Sequence, residues 1–102
     1  MRIILCGYGG HMGREVRACA ERDEQSEIVA GVDPMIPADE VCLPSFADCK
    51  TKADVIIDFS HHSMTGALLD FAEARNLPVV LATTGQTEEE KARIQEAAQK
   101  IP

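Results

Sequence analysis

The sequence predicts an α/β domain in which helices cover both faces of a parallel β-sheet. Short, continuous apolar runs alternate with longer stretches of helical periodicity, a pattern typical of buried parallel strands joined by crossover helices. A cluster of glycines separates the first apolar run from the first helical stretch, which is where a phosphate-binding turn lies in such domains. The length of 102 residues suits one domain.

The glycine turn follows a predicted strand at residues 3–6 and opens a predicted helix at residues 11–22. Gly7 allows a sharp turn out of the strand. Gly10 leaves room for a pyrophosphate close to the backbone, and Gly13 lets the helix pack closely on the strand. The helix N-terminus adds N–H groups and partial positive charge. The spacing G-x-x-G-x-x-G differs from the common G-x-G-x-x-G, so the turn alone also fits other α/β domains.

The first predicted helix carries an apolar stripe, which we expect to face the sheet. The stripe consists of Met12, Val16, Cys19 and Ala20. The other three of the four cysteines are Cys6, Cys42 and Cys49. No pair has the C-x-x-C spacing, so we predict no metal site and expect reduced thiols in a cytoplasmic protein.

An acidic residue follows the second predicted strand, Glu27–Val32. Asp33 lies twenty positions after Gly13, where an acid hydrogen-bonds the adenosine ribose in dinucleotide-binding domains. The alternative is an ordinary turn residue before Pro34. Together with the glycine turn, Asp33 favours dinucleotide binding.

The middle of the chain continues the alternation. Two prolines make residues 34–38 irregular, and a short edge strand is expected within residues 40–43. A strand is predicted at residues 53–59, and Ser60 can cap the helix that follows. That helix ends before Asn76, a residue that tolerates the left-handed conformation. Its core stripe consists of Met64, Leu68, Phe71 and Ala72.

The last elements are a further buried strand at Val79–Leu81 and a helix that begins with a capping box of Thr87 and Glu90. Right-handed crossovers predict a Rossmann-like three-layer fold with strand order 3-2-1-4-5. Ligands bind at the carboxyl ends of the strands that flank the switch in direction. Four segments are expected on that rim, namely residues 7–13, Asp33, residues 59–60 and residues 83–84.

Composition excludes several functional classes. With 10 basic and 17 acidic residues the net charge is −7, which argues against a general nucleic-acid or anionic-membrane surface. No apolar run approaches the length of a membrane span, and no signal peptide precedes the first strand. One local phosphate site remains possible because backbone N–H groups can form it.

The segments on the rim resemble the cofactor domain of the dihydrodipicolinate reductase family (4-hydroxy-tetrahydrodipicolinate reductase), which acts in diaminopimelate and lysine biosynthesis. The matching stretches are Gly7-Tyr8-Gly9-Gly10-His11-Met12-Gly13, Asp33, Val55-Ile56-Ile57-Asp58-Phe59-Ser60 and Leu81-Ala82-Thr83-Thr84-Gly85. The resemblance covers essentially the whole chain. It implies that residues 7–12 hold the pyrophosphate, Asp33 the ribose and residues 82–84 the nicotinamide end. The candidate cofactor-binding residues are Gly7, Tyr8, Gly9, Gly10, His11, Met12, Gly13, Asp33, Phe59, Ser60, Ala82, Thr83 and Thr84.

The charge around Asp33 predicts a preference for NADH over NADPH, with NADPH still able to bind. A carboxylate favours a free 2′-hydroxyl and repels a 2′-phosphate. Several members of the family carry an arginine directly after the acid, whereas this chain has Pro34, and His11 is the only titratable donor of the glycine turn.

The resemblance also implies that residues 1–102 are a dinucleotide-binding domain without the substrate domain, which in the family carries a His-His-x-x-Lys segment. The pair His61-His62 lacks the lysine, so we expect no catalytic residue in this chain. The chain should bind cofactor without turnover. The dicarboxylate substrate and the homotetramer would belong to the full-length enzyme, and this chain should be a monomer or weak dimer.

Two alternatives remain open at this point. The chain could be half of another nicotinamide-dependent dehydrogenase, which would share the glycine turn and Asp33 but has no special need for residues 82–85. It could also be a stand-alone nucleotide-binding or sensor module without catalysis. A reading frame that continues into a His-His-x-x-Lys segment would favour the reductase, and a stop codon would favour the module.

Overall fold

The computed structural model describes residues 1–33, 42–46, 49–83 and 85–102. In chain order the strands are β1 Arg2–Cys6, β2 Glu27–Val32, β3 Cys42–Leu43, β4 Val55–Asp58 and β5 Val79–Leu81. The helices are α1 His11–Glu21, α2 Thr65–Arg75, which follows a 3-10 turn at His62–Met64, and α3 Glu88–Ala98. The predicted irregular segment at residues 34–38 lies outside the described residues.

The described strands form one parallel sheet in the order β3-β2-β1-β4-β5, which confirms the predicted fold class and strand order. The register aligns the carboxyl ends. Cys6 pairs with both Val32 and Asp58, Val32 pairs with Leu43, and Asp58 pairs with Leu81. All five strands therefore end on one edge of the sheet, and the loops that follow them share one rim.

The core lies on and beside the three inner strands β2, β1 and β4. Ile4, Ile56 and Leu68 have no exposed surface, and each such side chain contributes about 1.5–3 kcal/mol when it leaves water. The predicted core stripe of α2 is confirmed, with Met64 and Phe71 partly buried against this cluster and Leu68 and Ala72 inside it. The helix ends at Asn76, which has φ 53° as expected.

The predicted apolar stripe of α1 is confirmed at Val16 and Ala20, which are partly buried, and is wrong at Met12 and Cys19. Met12 is 45% exposed and Cys19 is exposed, whereas Gly13 is buried and Arg17 is partly buried. A Cβ at Gly13 would lie 2.1 Å from the Gly7 carbonyl oxygen, so only glycine allows this approach. The contact between Gly13 and the turn fixes the rotation of the helix, and this overrides the apolar stripe.

Two smaller predictions also need correction. Ser60 does not cap the helix, because its hydroxyl donates to Asp58 Oδ1 at 2.5 Å while the ring of His61 caps the 3-10 turn by accepting from the Ser63 amide. Strand β5 is not fully buried, since Val80 is 54% exposed on the edge strand. The predicted edge strand is present as Cys42–Leu43, and all four cysteines are thiols.

Candidate dinucleotide site

The glycine turn is built by backbone contacts that leave no room for side chains. Gly7 has φ +80°, and a Cβ there would lie 2.6 Å from the Phe59 carbonyl oxygen. At Gly13 a Cβ would also lie 2.7 Å from the Tyr8 carbonyl oxygen. Gly10 is the N-cap of α1 and its amide donates to the Gly7 carbonyl at 3.1 Å. The first turn of α1 therefore meets the rim without a capping side chain, which is the arrangement that attracts an anion.

Asp33 connects the end of β2 to this turn. Its side chain is nearly buried, with 7% of the residue exposed, and its Oδ2 accepts a hydrogen bond from the Gly9 amide at 2.9 Å. Its own amide donates to the Leu43 carbonyl at 2.9 Å. A carboxylate bonded to a backbone N–H is a charge-assisted contact, stronger than a neutral one. Asp33 therefore helps to fix the turn, and it brings a nearly buried carboxylate to the rim of the sheet.

A groove runs along the rim between the glycine turn and the ends of β4 and β5. One part has a volume of about 440 Å³, within the usual range for ligand sites. It is lined by Gly7, Gly9, Gly10, Val32, Asp33, Phe59, Ser60, His61, Ser63 and Met64. The adjoining part has a volume of about 400 Å³ and is lined by His11, Met12, Phe59, Ser60, His61, His62, Ala82 and Thr83. The two parts share Phe59, Ser60 and His61, so they form one elongated groove.

The floor of the groove is fixed by a buried carboxylate at the end of β4. Asp58 is 1% exposed, and its Oδ1 accepts from the Ser60 amide at 3.0 Å and from the Ser60 hydroxyl. These bonds hold residues 59–60 in place between the two parts of the groove. Burial raises the pKa of the neighbouring Cys6 thiol well above its ordinary value, and Asp58 and Cys49 raise that pKa further.

The far end of the groove is bordered by Ala82 and Thr83, in the loop that follows β5. The Thr83 hydroxyl donates to the Ser60 carbonyl at 2.9 Å, and the Gln86 side-chain amide donates to the Thr83 carbonyl at 2.7 Å. The Ala82 amide donates to the Asp58 carbonyl at 3.0 Å. This loop is therefore attached to the end of β4. Thr84, the remaining candidate residue of this segment, lies outside the described residues.

The side chain of Tyr8 lies away from the groove. Its ring packs against Gly31, where an added Cβ would lie 2.2 Å from Tyr8 Cδ2. The guanidinium of Arg17 lies 4.1 Å from the centre of the ring. Tyr8 and Arg17 border a separate cleft of about 530 Å³ beneath α1, together with several acidic residues. Only the backbone of Tyr8 therefore belongs to the turn. Gly13 acts through its contact with that same backbone.

Four residues that were not among the sequence candidates also line the groove, namely His61, His62, Ser63 and Met64. Their position directly after Phe59-Ser60 at the strand end is the signal that could have identified them. Each histidine has a partner. His61 Nδ1 lies 2.9 Å from the Ser63 hydroxyl, and His62 Nδ1 lies 2.8 Å from Glu90 Oε1. Their rings are 4.3 Å apart.

The described ranges contain neither a metal-ion site nor a membrane-spanning helix. There, no group of three or more His, Cys, Asp or Glu side chains is arranged to hold a metal ion. None of the helices in these ranges has the length and apolar character that spanning a bilayer requires.

Comparisons with known proteins agree with the geometry. The family model "Dihydrodipicolinate reductase, N-terminus" matches residues 1–102. A 4-hydroxy-tetrahydrodipicolinate reductase from Caldanaerobacter subterraneus is 41% identical over 103 residues, covering 100% of this chain and 41% of that protein. The Clostridium tetani enzyme of the same name is 36% identical over 104 residues, with the same two coverages, 100% and 41%. The chain thus spans about two fifths of the length of these curated relatives.

A solved structure shows the same fold. It is a dipicolinate-bound dihydrodipicolinate reductase from Paenisporosarcina sp. TG-14, with a TM-score of 0.78 and 23% identity over 96% of this chain and 43% of that one. The fold, the glycine turn with its acidic partner and the match of the whole sequence agree with one another. The chain belongs to the dihydrodipicolinate reductase family and corresponds to its N-terminal domain.

Proposed function

We propose that this chain is the NAD(P)H-binding domain of a 4-hydroxy-tetrahydrodipicolinate reductase. The observation that carries the proposal is the single groove that joins the glycine turn, Asp33, Phe59-Ser60 and Ala82-Thr83 at the carboxyl ends of the strands. A dinucleotide is elongated, with anionic phosphates in its middle. The N-terminus of α1 supplies N–H groups and partial positive charge beside the groove.

Different residues of the groove would bind different parts of the cofactor. The pyrophosphate would bind at residues 7–12, where Gly10 presents no side chain to the ligand. The adenosine ribose would bind at Asp33, and the nicotinamide would reach residues 82–84. When bound, the reduced nicotinamide supplies a hydride. The role of these residues is to position it, because the acid, base and dicarboxylate-binding groups of the reaction would belong to the substrate domain of the whole enzyme.

The alternatives are less favoured. Another dehydrogenase of the same half-fold explains the glycine turn and Asp33 but not the match of the entire chain to this one family. A stand-alone nucleotide-binding module would share the groove, and the encoding reading frame distinguishes it. On the reductase proposal, this chain alone binds cofactor as a monomer or weak dimer, in the cytoplasm, without reducing substrate.

Calorimetric titration of the 102-residue chain with NADH, NADPH and ADP-ribose tests the proposal. We expect saturable binding of ADP-ribose and NADH, with NADPH about tenfold weaker because the Asp33 carboxylate repels a 2′-phosphate. Absence of binding by all three compounds would contradict the proposed function.

A pair of variants isolates the charge of Asp33. Asp33→Asn keeps an oxygen that can accept from the Gly9 amide but removes the negative charge, so it should bind NADH and NADPH about equally. Asp33→Ala removes both the charge and the contact with Gly9, so it should weaken both cofactors. If Asp33→Asn retains the preference for NADH, the carboxylate is not its source.

A further inference from the structure

Two residues of α3, one turn apart, attach the helix to the domain in different ways. Near its start, Glu90 Oε1 accepts from the Thr87 amide at 2.8 Å and from His62 Nδ1 at 2.8 Å. One turn later, Arg93 donates to Glu73 at 2.8 Å and to Asp70 at 2.7 Å, both on α2. The Arg93 contacts join helix to helix. The Glu90 contact joins the helix to the rim of the groove.

His62 lies against the loop that borders the far end of the groove. It lines the groove together with Ala82 and Thr83, and a Cβ at Gly85 would be 3.8 Å from His62 Cδ2, an ordinary van der Waals distance. Gly85 has φ +86°. The histidine ring therefore lies beside Gly85, while its Nδ1–H donates to Glu90 in the first turn of α3.

Three side-chain hydrogen bonds hold this loop and the first turn of α3 in place. Thr83 is bonded to the Ser60 carbonyl, Gln86 is bonded to the Thr83 carbonyl, and Glu90 is bonded to His62. The first and last of these connect the loop and its helix to residues 60–62, which directly follow β4. The pair is partly shielded from water, with His62 and Glu90 side chains 32% and 20% exposed, so its hydrogen bond is less weakened than a surface contact.

We infer that His62 and Glu90 are positioning residues for the nicotinamide end of the cofactor. Their contact attaches the first turn of α3 to the segment that follows β4, and so helps to keep Thr83 and Gln86 beside Ser60 at the far part of the groove. Neither side chain is assigned a chemical step. The inference rests on the proposed function, because it assumes that a nicotinamide occupies this part of the groove.

The test compares two ligands that differ only in the part this pair would position. ADP-ribose contains the adenosine, the pyrophosphate and the second ribose, and it lacks the nicotinamide. We expect His62→Ala to weaken NADH binding by about tenfold, the effect of about 1.4 kcal/mol, and to change ADP-ribose binding by less than about twofold. His62→Asn, whose amide can donate from a position close to that of Nδ1, should recover most of the loss.

Arg93→Met is the matched control. It removes the other attachment of α3 without touching residues 82–87, so it should lower the thermal midpoint while leaving the ratio of NADH to ADP-ribose affinity unchanged. A purely structural role for His62 predicts that His62→Ala behaves like Arg93→Met. That result, or an equal loss for both ligands, would overturn the inference.

The same titrations distinguish the two proposals. If the unsubstituted chain binds neither ligand, the proposed function fails and the inference fails with it. If the unsubstituted chain and His62→Ala bind ADP-ribose equally and NADH equally, the proposed function stands and the inference alone is refuted.

Discussion

The glycine turn at residues 7–13 lines both parts of the groove, whereas the loop that begins at Ala82-Thr83 lines only one part, and the two segments are held by different forces. At the turn, backbone atoms approach one another so closely that a Cβ on Gly13 would lie 2.1 Å from the Gly7 oxygen. At the loop, a Cβ on Gly85 would have its nearest neighbour at 3.8 Å, and the chain is held by hydrogen bonds from Thr83, Gln86 and His62.

This difference predicts how each segment responds to substitution. A steric conflict between backbone atoms cannot be relieved by moving a side chain, so the turn should fail abruptly when a Cβ is added. A hydrogen bond typically contributes about 0.5–1.5 kcal/mol, so the loop should lose stability or order in small steps. The glycine turn is therefore kept rigid by steric exclusion, whereas the loop is held by several separable contacts.

The largest effect is expected at Gly13. Gly13→Ala places a methyl group against two carbonyl oxygens of the turn and should lower the free energy of unfolding by about 3 kcal/mol, the upper end of overpacking costs. Gly10→Ala is the control, because its Cβ would be 3.4 Å from the Gly7 oxygen and the residue has φ −77° and ψ 177°. Urea unfolding should show a loss within about 1 kcal/mol for Gly10→Ala. Equal stabilities of the two variants would contradict the steric account.

A smaller loss of folding stability is expected when a Cβ is added at Gly31, because the atoms it would meet belong to a side chain. A Cβ there would lie 2.2 Å from the ring of Tyr8, and we expect Gly31→Ala to cost about 2 kcal/mol. The Tyr8 side chain can be removed by substitution. The double variant Tyr8→Ala with Gly31→Ala should therefore lose at least about 1 kcal/mol less stability than the sum of the losses of the two single variants.

Gly66→Ala is the matched control for the Gly31 experiment. Gly66 lies inside α2 with no atom within 4 Å of its Cβ position, so alanine should stabilise the chain by about 0.5–1 kcal/mol. Additive losses for Tyr8→Ala and Gly31→Ala would show that the Tyr8 ring is not the obstacle.

The third effect concerns the helix that follows the loop. The Thr87 hydroxyl accepts from the Glu90 amide at 3.2 Å, and Thr87→Ala should lower the free energy of unfolding by about 1 kcal/mol. Thr87→Ser keeps the hydroxyl and should stay close to the unsubstituted chain. Thermal unfolding followed by circular dichroism measures both. A larger loss than that of Gly31→Ala would mean that the loop is not held by separable contacts.

The same contrast explains which features could be predicted from the sequence. Local signals were sufficient for the strand order, for β2 at Glu27–Val32, for the left-handed Asn76 and for the capping box of Thr87 and Glu90. In each case the residues that decide the structure are neighbours in the chain, or the alternation of strands and helices leaves few topologies.

The features that were missed depend on contacts between distant segments. The rotation of α1 is set by Gly13 against the turn, so periodicity placed Cys19 on the wrong face. The bond between His62 and Glu90 joins residues 28 positions apart, and no sequence pattern indicates it. The structure brings the described candidate segments to one rim, while the roles of individual residues toward a cofactor remain predictions for titration.

The smallest predicted effect is a dependence of folding stability on acidic pH that arises from Glu90, in the first turn of α3. The pKa of Glu90 is lowered chiefly by the hydrogen bond from the Thr87 amide, and the bond from His62 lowers it further. A carboxyl group with a lowered pKa in the folded state stabilises the fold above its unfolded pKa of about 4.3, and this contribution is lost as the pH falls through the folded value. Glu90→Gln can keep the capping geometry but cannot titrate.

The stability difference between the unsubstituted chain and Glu90→Gln should therefore be largest near neutral pH and shrink in acid below the unfolded value. Urea midpoints measured across that range report the difference directly. Glu73, whose pKa is lowered by the bond from Arg93, is present in both proteins, so its acid dependence cancels in the comparison. A difference that stays constant or grows in acid would show that Glu90 holds the loop end through its shape alone, and not through its charge.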